Sequence, residues 1–288
     1  MATSATSDAH SDQLLVVIDP VARRIDGESV RIAKDVLSAG AATKVCMPEG
    51  PEEFARALAR RGARRPVLVG DDRALMRAVS LLHRQRELAG CALSMVPVGG
   101  ALSLAGALGV PTGAVAAARA VLDGIVRRMD LLVDDSDGVV LGALRIPSPP
   151  SPAVPSPAGT GHASWLRTCQ SLVRTLVPAR PPREPLVGVP RFGPARLRVE
   201  VDGVTLVDLD QPVEAVSVTP GPAGLAQVEV RPVSVGAEAT PLCARGRSVT
   251  VSGADFRYRA DAVVAGPVRT RTWVVREGAW GLTLPSVR

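Results

Sequence analysis

The sequence predicts an α/β region built on an open wound sheet, followed by a mainly β, sandwich-like region. In the first half, short apolar runs alternate with segments of helical periodicity, which is typical of a sheet wound with helices. In the second half, short alternating strands are separated by turn residues. With 288 residues, the chain is long enough for two domains of ordinary size.

Strand–helix units follow one another through the first half. Short apolar runs at 14–18, 43–47, 66–69 and 91–96 each predict a buried strand. Helices are predicted to begin at Asp26 or Gly27, at Pro51 and after Asp72, because capping residues or proline precede apolar positions spaced three and four apart. The turns at 69–73 and 97–100 would leave the carboxyl ends of successive strands, where open α/β sheets bind ligands.

Proline-rich segments mark the middle of the chain. Residues 147–157 contain six prolines, so residues 147–161 are interpreted as an insertion without regular structure. The apolar face of residues 165–176 predicts a helix, and residues 130–133 and 139–146 predict strands around an acidic turn.

The predicted organisation is a disordered lead-in at 1–12, an α/β domain at 13–146, the insertion at 147–161, and a mainly β domain at 162–288 that can exchange strands with the first. Strands are predicted within it at 197–201, 213–218, 226–230, 248–251, 255–258, 271–275 and 282–284, with a hairpin turn at 202–203.

Composition excludes several classes of protein. The net charge of +6 permits anionic partners, but arginine pairs without interleaved aromatic residues give no support for nucleic-acid binding. The four cysteines are far apart and no metal ligands are assigned. No run of about 18 apolar residues predicts a membrane span. We therefore expect a cytoplasmic protein with reduced thiols, for which peripheral contact with a membrane remains open.

Three segments carry a resemblance to a known family. Asp19-Pro20 follows the first strand, Val69-Gly70-Asp71-Asp72-Arg73 the third, and Pro97-Val98-Gly99-Gly100-Ala101-Leu102-Ser103 the fourth. From about Leu14 onward, their order and spacing resemble the diacylglycerol kinase family, which is related in fold to NAD kinases and has Asn-Pro, Gly-Gly-Asp-Gly-Thr and Pro-x-Gly-Thr-x-Asn-Asp there. The resemblance implies ATP and Mg²⁺ as cofactors of an active protein. It implies a nucleotide site formed by Asp19, Gly70, Asp71, Asp72, Arg73, Gly99 and Gly100.

Asp261 is the candidate catalytic residue. The family has Asp-Gly-Glu near the end of its β domain, and the best match is Asp261-Ala262-Val263. The resemblance implies that Asp261 is the base for a lipid hydroxyl. The Glu is absent, however, and an isolated aspartate is more often a turn former than a base.

The family motifs are eroded in this sequence. Val69 and Asp72 replace glycines that let phosphate approach the backbone, and Asp72 adds a carboxylate that repels phosphate unless a metal or Arg73 intervenes. Leu102 and Ser103 replace an amide and a carboxylate. The sequence therefore predicts a weakly active or non-catalytic protein that retains lipid or nucleotide binding. The alternative is an active ATP-dependent lipid kinase that phosphorylates a lipid hydroxyl such as that of diacylglycerol. A lipid or anionic headgroup at a membrane surface and a second copy of the chain are the candidate partners.

Overall fold

Parallel strands begin the fold, as the sequence predicts. The structure is a computed structural model that describes residues 13–147, 194–233 and 240–286. Its first strands are β1 (Gln13–Ile18), β2 (Ala42–Cys46), β3 (Arg65–Gly70) and β4 (Ala92–Pro97), which pair in parallel in the order β4-β3-β1-β2. The helices are α1 (Pro20–Ile25), α2 (Gly27–Gly40), α3 (Pro51–Ala59), α4 (Asp72–Arg84), α5 (Ser103–Ala107) and α6 (Ala114–Asp123).

Helices cover both faces of these strands. Successive side chains of a strand point to opposite faces, so alternate residues of β1 belong to different cores. Leu15 packs in one core with Phe54 and Leu75 of α3 and α4. Leu14 packs in the other with Ala33 of α2 and with α6. This two-sided packing explains why β1, β3 and β4 are continuous apolar runs rather than alternating ones.

The second half consists mostly of strands. Its long final strand pairs antiparallel with the strands Ile125–Asp134 and Ser248–Ala260, and at Gly281 and Leu282 it pairs in parallel with β4. One ladder therefore joins the two halves. The strands are β5 (Ile125–Asp134), β6 (Val139–Val140), β7 (Leu144–Ile146), β8 (Ala195–Val201), β9 (Val204–Val207), β10 (Pro212–Pro220), β11 (Ala226–Pro232), β12 (Leu242–Gly246), β13 (Ser248–Ala260) and β14 (Val263–Leu284).

Several predicted strands differ in length from those in the structure. The segments 248–251 and 255–258 are parts of one strand, β13, because irregular register between Ser252 and Tyr258 bends the strand without ending it. Similarly, 271–275 and 282–284 both lie in β14. The predicted strand at 139–146 is instead two short strands, β6 and β7. Between them, the N–H groups of residues 141–143 donate to the Asp261 carboxylate rather than to a neighbouring strand.

An α/β region followed by a mostly strand region is therefore confirmed. The described residues belong to one compact unit, while the sandwich arrangement and the domain limits at 13–146 and 162–288 stay predictions. The predicted lead-in, the insertion beyond Pro147 and the helix at 165–176 lie outside the described residues. None of the helices in the described part is long and apolar enough to cross a membrane.

Candidate functional site

Three loops meet where the parallel strands end. The backbone N–H of Asp19, after β1, donates to Val69 O at 2.8 Å. The N–H of Val98, after β4, donates to Gly70 O at 2.9 Å. Residues Asp19, 70–73 and 99–100, which the sequence analysis selected, are therefore brought to one edge of the sheet.

The glycines at this edge permit close packing. A Cβ at Gly70 would lie 2.7 Å from the Ala74 Cβ and 3.0 Å from the Asp19 Cβ. Gly99 has a φ of +130°, which side-chain-bearing residues rarely adopt, and a Cβ there would lie 3.2 Å from the Asp71 Cβ. By contrast, Gly100 has open space around it. Gly70 and Gly99 thus have structural reasons to be glycine that require no ligand.

Asp71 is the N-cap of α4. Its Oδ1 accepts from Arg73 N at 3.0 Å and from Ala74 N at 3.1 Å. The N–H of Asp72 donates to Ala101 O at 2.8 Å. The first N–H groups of a helix bind phosphate only when they lack other acceptors. Here residues 72–74 have all found acceptors inside the protein.

The Asp72 carboxylate is directed away from the mouth of the turn. Only 3% of Asp72 is exposed. Its Oδ2 accepts from Leu104 N at 2.9 Å and its Oδ1 from Ala105 N at 3.0 Å, at the start of α5. Ser103 Oγ donates to Oδ2 as well, at 3.3 Å. The expectation that Asp72 meets phosphate as a repelling charge is therefore corrected, because a buried carboxylate needs donors and finds them in α5.

Asp19 is buried beside α4. Its Oδ1 caps α1 by accepting from Val21 N at 2.8 Å, and its Oδ2 accepts from Arg77 Nη1 at 2.9 Å. The Arg77 guanidinium also lies 5.3 Å from the centre of the Phe54 ring. The sequence analysis assigned no role to Arg77. Arg77 lies four residues after Arg73, and positions four apart share one helix face. This spacing was the available signal that the two arginines line the same surface.

Asp261 comes to the same region from the turn between β13 and β14. The N–H groups of residues 141–143 donate to its two carboxylate oxygens at 2.7–2.8 Å. Its φ is +49°, the left-handed conformation that aspartate tolerates in turns. Burial raises the pKa of the Asp261 carboxyl, and the negative charge of Asp72 acts in the same direction, while the backbone hydrogen bonds oppose it. Its assignment as a base stays a prediction.

ATP and Mg²⁺ do not fit these residues as they stand. The N–H groups at 72–74 are engaged, and Asp19, Asp71, Asp72 and Asp261 each hold internal donors. Within the described residues, no group of three or more His, Cys, Asp or Glu side chains is placed to hold a metal ion. We therefore derive no phosphoryl-transfer step from this edge.

A cleft next to this edge is lined mostly by apolar side chains and by two arginines. It lies between α4 and the hairpin of β13 and β14 and has a volume of about 560 Å³. Arg73 and Arg77 line it from α4, and Val139, Val263 and Val264 from the opposite wall. We call this space the α4 cleft. The sequence analysis did not identify it, because its walls come from segments almost 200 residues apart.

The β5–β6 turn supports one wall of the α4 cleft. Asp134 Oδ1 accepts from Ser136 N and Gly138 N, both at 2.8 Å, and Tyr258 Oη donates to Oδ2 at 3.3 Å. Burial alone would raise the pKa of Asp134, but hydrogen bonds from Gly138 and Ser136 outweigh it and hold that pKa below its ordinary value. His83 of α4 lies 2.8 Å from Asp137, which links the turn to the helix. The hydrogen bonds of the acidic turn therefore hold this wall of the α4 cleft beside α4.

Comparison with known proteins identifies the class of fold. No protein-family model and no curated protein matches the sequence. Two solved structures of a provisionally assigned diacylglycerol kinase from Bacillus anthracis str. Sterne match with TM-scores of 0.67 and 0.68 at 10% and 11% identity. They cover 95% and 96% of this chain, and 97% and 98% of theirs. A diacylglycerol kinase structure from the same organism has a TM-score of 0.66 at 11% identity, covering 95% of this chain and 97% of its own. The chain therefore has the diacylglycerol kinase fold, and the resemblance that the motifs predicted is confirmed at the level of the fold.

Proposed function

We propose that the protein is a non-catalytic member of the diacylglycerol kinase fold that binds a lipid with an anionic headgroup. The observation that carries this proposal is the state of the β3–α4 turn. The N–H groups of Arg73 and Ala74 donate to the Asp71 carboxylate, the N–H of Asp72 donates to Ala101 O, and the Asp72 carboxylate accepts from the start of α5. The N–H groups at the start of α4 are therefore not available to cradle a phosphate.

The α4 cleft supports lipid binding in place of catalysis. Its lining is mostly apolar, and its volume of about 560 Å³ lies in the range of small-molecule sites. Arg73 is exposed and has no ion pair within the described residues, so its guanidinium is available for a phosphate or carboxylate. An amphiphile would place its headgroup near Arg73 and its chain along Val263 and Val264.

Calorimetry with a short-chain lipid tests the binding proposal. We expect dioctanoyl phosphatidate, kept below its micelle concentration, to bind, and dioctanoylglycerol, which lacks the phosphate, to bind more weakly. Arg73→Gln should weaken phosphatidate binding roughly ten-fold, the loss expected for one charge-assisted contact. Arg245→Gln, an exposed arginine on β12, is the matched control. Equal affinities for parent and Arg73→Gln would contradict the proposal.

An active lipid kinase is the second candidate. The raised pKa of Asp261 favours it, since a base works best with a pKa near the operating pH. Incubation with Mg-ATP and diacylglycerol in mixed micelles separates the two. Turnover that is lost in Asp261→Asn, a variant of the same size, would overturn the non-catalytic proposal. Absence of Mg-ATP binding at millimolar concentration would rule out the kinase.

A further inference from the structure

The strand β2 forms an open edge of the sheet. β2 (Ala42–Cys46) pairs in parallel with β1, and none of the other described strands pairs with it. A strand at the edge of a sheet presents a row of backbone N–H and C=O groups that a further strand can bind. The outer edge of β2 can therefore accept one more strand.

A groove of about 330 Å³ lies between β2 and α3. Lys44 and Cys46 line it from β2, and Arg56 and Arg60 line it from α3. Val45, between Lys44 and Cys46, packs instead against the core on the other face of the sheet. Because side chains alternate along a strand, a strand added beside β2 would direct every second side chain into this groove. We call this space the β2 groove.

Positive charge dominates the β2 groove. Lys44, Arg56 and Arg60 are exposed, and neither Lys44 nor Arg60 forms an ion pair within the described part of the chain. Glu53 is the acidic residue of the lining. One of its carboxylate oxygens lies 3.8 Å from Arg56 Nη2, and the other accepts from Glu49 N at 2.9 Å. The excess of cations selects carboxylate groups as ligands.

The floor of the β2 groove is apolar. Leu15 of β1 is buried there, and Cys46 and Ala57 are half-buried. Met47, which follows β2, is 56% exposed, and a methionine side chain adapts its shape to an apolar partner. The groove therefore suits an aliphatic side chain that is flanked by acidic ones.

An extended acidic peptide satisfies this edge better than a lipid or a second copy of the chain. A lipid has no row of backbone donors and acceptors to pair with β2. A second copy joined edge to edge about a twofold axis would bring Lys44, Arg56 and Arg60 towards the same cations of its partner. A peptide strand supplies the hydrogen-bonding groups, and acidic side chains on it supply the opposite charge.

We propose that β2 and the β2 groove bind an extended acidic segment of another protein by strand addition. The backbone of the segment pairs with the outer edge of β2. Every second side chain enters the groove, where carboxylates meet Lys44, Arg56 and Arg60. This inference goes beyond the proposed function and does not rest on it, because no residue of the β2 groove lines the α4 cleft.

A synthetic peptide tests the proposal by fluorescence anisotropy with the full chain. The probe is fluorescently labelled Thr-Glu-Thr-Leu-Thr-Glu-Thr, which places Glu, Leu and Glu on one face and reads the same from both ends, so it suits either strand direction. We expect the parent to bind it, and to bind the peptide with Gln in place of Glu roughly ten-fold more weakly. Equal affinity for the two peptides, or no binding of the Glu peptide at millimolar concentration, would overturn the proposal.

Substitutions in the groove should weaken binding of the Glu peptide. Arg56→Gln/Arg60→Gln should lower its affinity roughly ten-fold, because two cations are lost from one wall. Lys44→Gln, from the opposite wall, should weaken binding as well. Arg245→Gln/Arg247→Gln removes the same charge from exposed arginines beside β12 and is the matched control, which should bind like the parent. Equal loss in the control would show that the peptide responds only to net charge and would contradict a specific groove.

Amide hydrogen exchange distinguishes strand addition from contact through side chains alone. With the Glu peptide bound, we expect slower exchange in β2, because its outward N–H groups then donate to the peptide. The strand β12, which also lies at a sheet edge, is the internal control and should exchange as in the free protein. Peptide binding that leaves exchange in β2 unchanged would rule out strand addition.

The other occupants give different results. A dimer of the parent in analytical ultracentrifugation, with β2 amides protected in the absence of peptide, would identify a second copy and overturn the proposal. Dioctanoyl phosphatidate that displaces the Glu peptide would identify an anionic lipid and overturn it too. Arg56→Gln/Arg60→Gln should bind phosphatidate with parental affinity, because these residues do not line the α4 cleft. Loss of peptide binding and loss of phosphatidate binding therefore report on separate sites.

Discussion

The β3–α4 turn and the cleft-facing side of α4 are neighbours, yet they differ in what they leave free. In the turn, Asp71 and Asp72 bind backbone N–H groups of α4 and α5. On the cleft side, Arg73 and the valines of the opposite wall face open space. The difference teaches that residues at the positions of a binding motif can be engaged by the fold itself. The free guanidinium and the apolar wall lie beside the motif, on the surface where we propose that a lipid binds.

Replacing Asp261 should have the largest effect, and it tests whether the acidic residues near the turn are structural. Asp261→Ala leaves the N–H groups of residues 141–143 without their acceptor and places alanine at a φ of +49°. We expect the free energy of unfolding to fall by about 3 kcal/mol, measured by urea denaturation.

Two further substitutions divide that loss between its causes. Asp261→Gly relieves the backbone strain while it removes the hydrogen bonds, so it should recover about 1 kcal/mol. Asp261→Asn keeps one acceptor oxygen and should be intermediate. If Asp261→Ala unfolds at the same urea concentration as the parent, the carboxylate is not a structural brace and the comparison between turn and cleft fails.

Restoring the family's glycine at position 72 should have a smaller effect. Asp72→Gly removes the acceptor for Leu104 N and Ala105 N and should destabilise the protein by about 2 kcal/mol. It should not produce Mg-ATP binding in calorimetry, because Asp71 still occupies the N–H groups of residues 73 and 74.

Arg73→Gln, one residue further along α4, is the control for Asp72→Gly. Its side chain faces the cleft, so stability should change by no more than about 0.5 kcal/mol. Nucleotide binding by Asp72→Gly at unchanged stability would show that Asp72 blocks a site that is otherwise intact. That result would reverse the conclusion drawn from the turn.

The smallest effect concerns the wall of the cleft and depends on pH. The pKa of Asp134 in the folded protein is below its ordinary value of 3.8, so its contribution to stability is present above that pH and is lost as pH falls through the folded pKa. Asp134→Asn should cost about 1 kcal/mol at pH 7. The difference from the parent, measured by urea denaturation, should shrink at pH values below 3.8. A difference that stays constant with pH would contradict this account of the turn.

Local patterns were sufficient to predict the α/β region. Apolar runs located β1 to β4, and Asp26 and Pro51 marked helix starts, because capping and periodicity depend on residues close in sequence. The two loops at the carboxyl ends of β3 and β4 were also predicted. The motifs further indicated the diacylglycerol kinase fold, which the solved structures confirm.

Side-chain direction could not be predicted in the same way. In the sequence, Asp72 looks like a negative charge placed in a phosphate-binding turn. Only the hydrogen bonds from Leu104 N and Ala105 N to its carboxylate show that it caps the start of α5. The α4 cleft was missed for a related reason. Arg73 and Val263 approach each other only through long-range pairing, which leaves no local signal.

The strand β14 ties the completion of the first half to a segment that is synthesised much later than β4. Its end pairs with β4, and Ser94 Oγ donates to Thr283 Oγ1 at 2.8 Å across 189 residues of sequence. During synthesis, the outer edge of β4 therefore stays open until β14 has left the ribosome. An open strand edge invites pairing with other chains. The interval before β14 arrives is thus the period when this protein depends most on protection from aggregation.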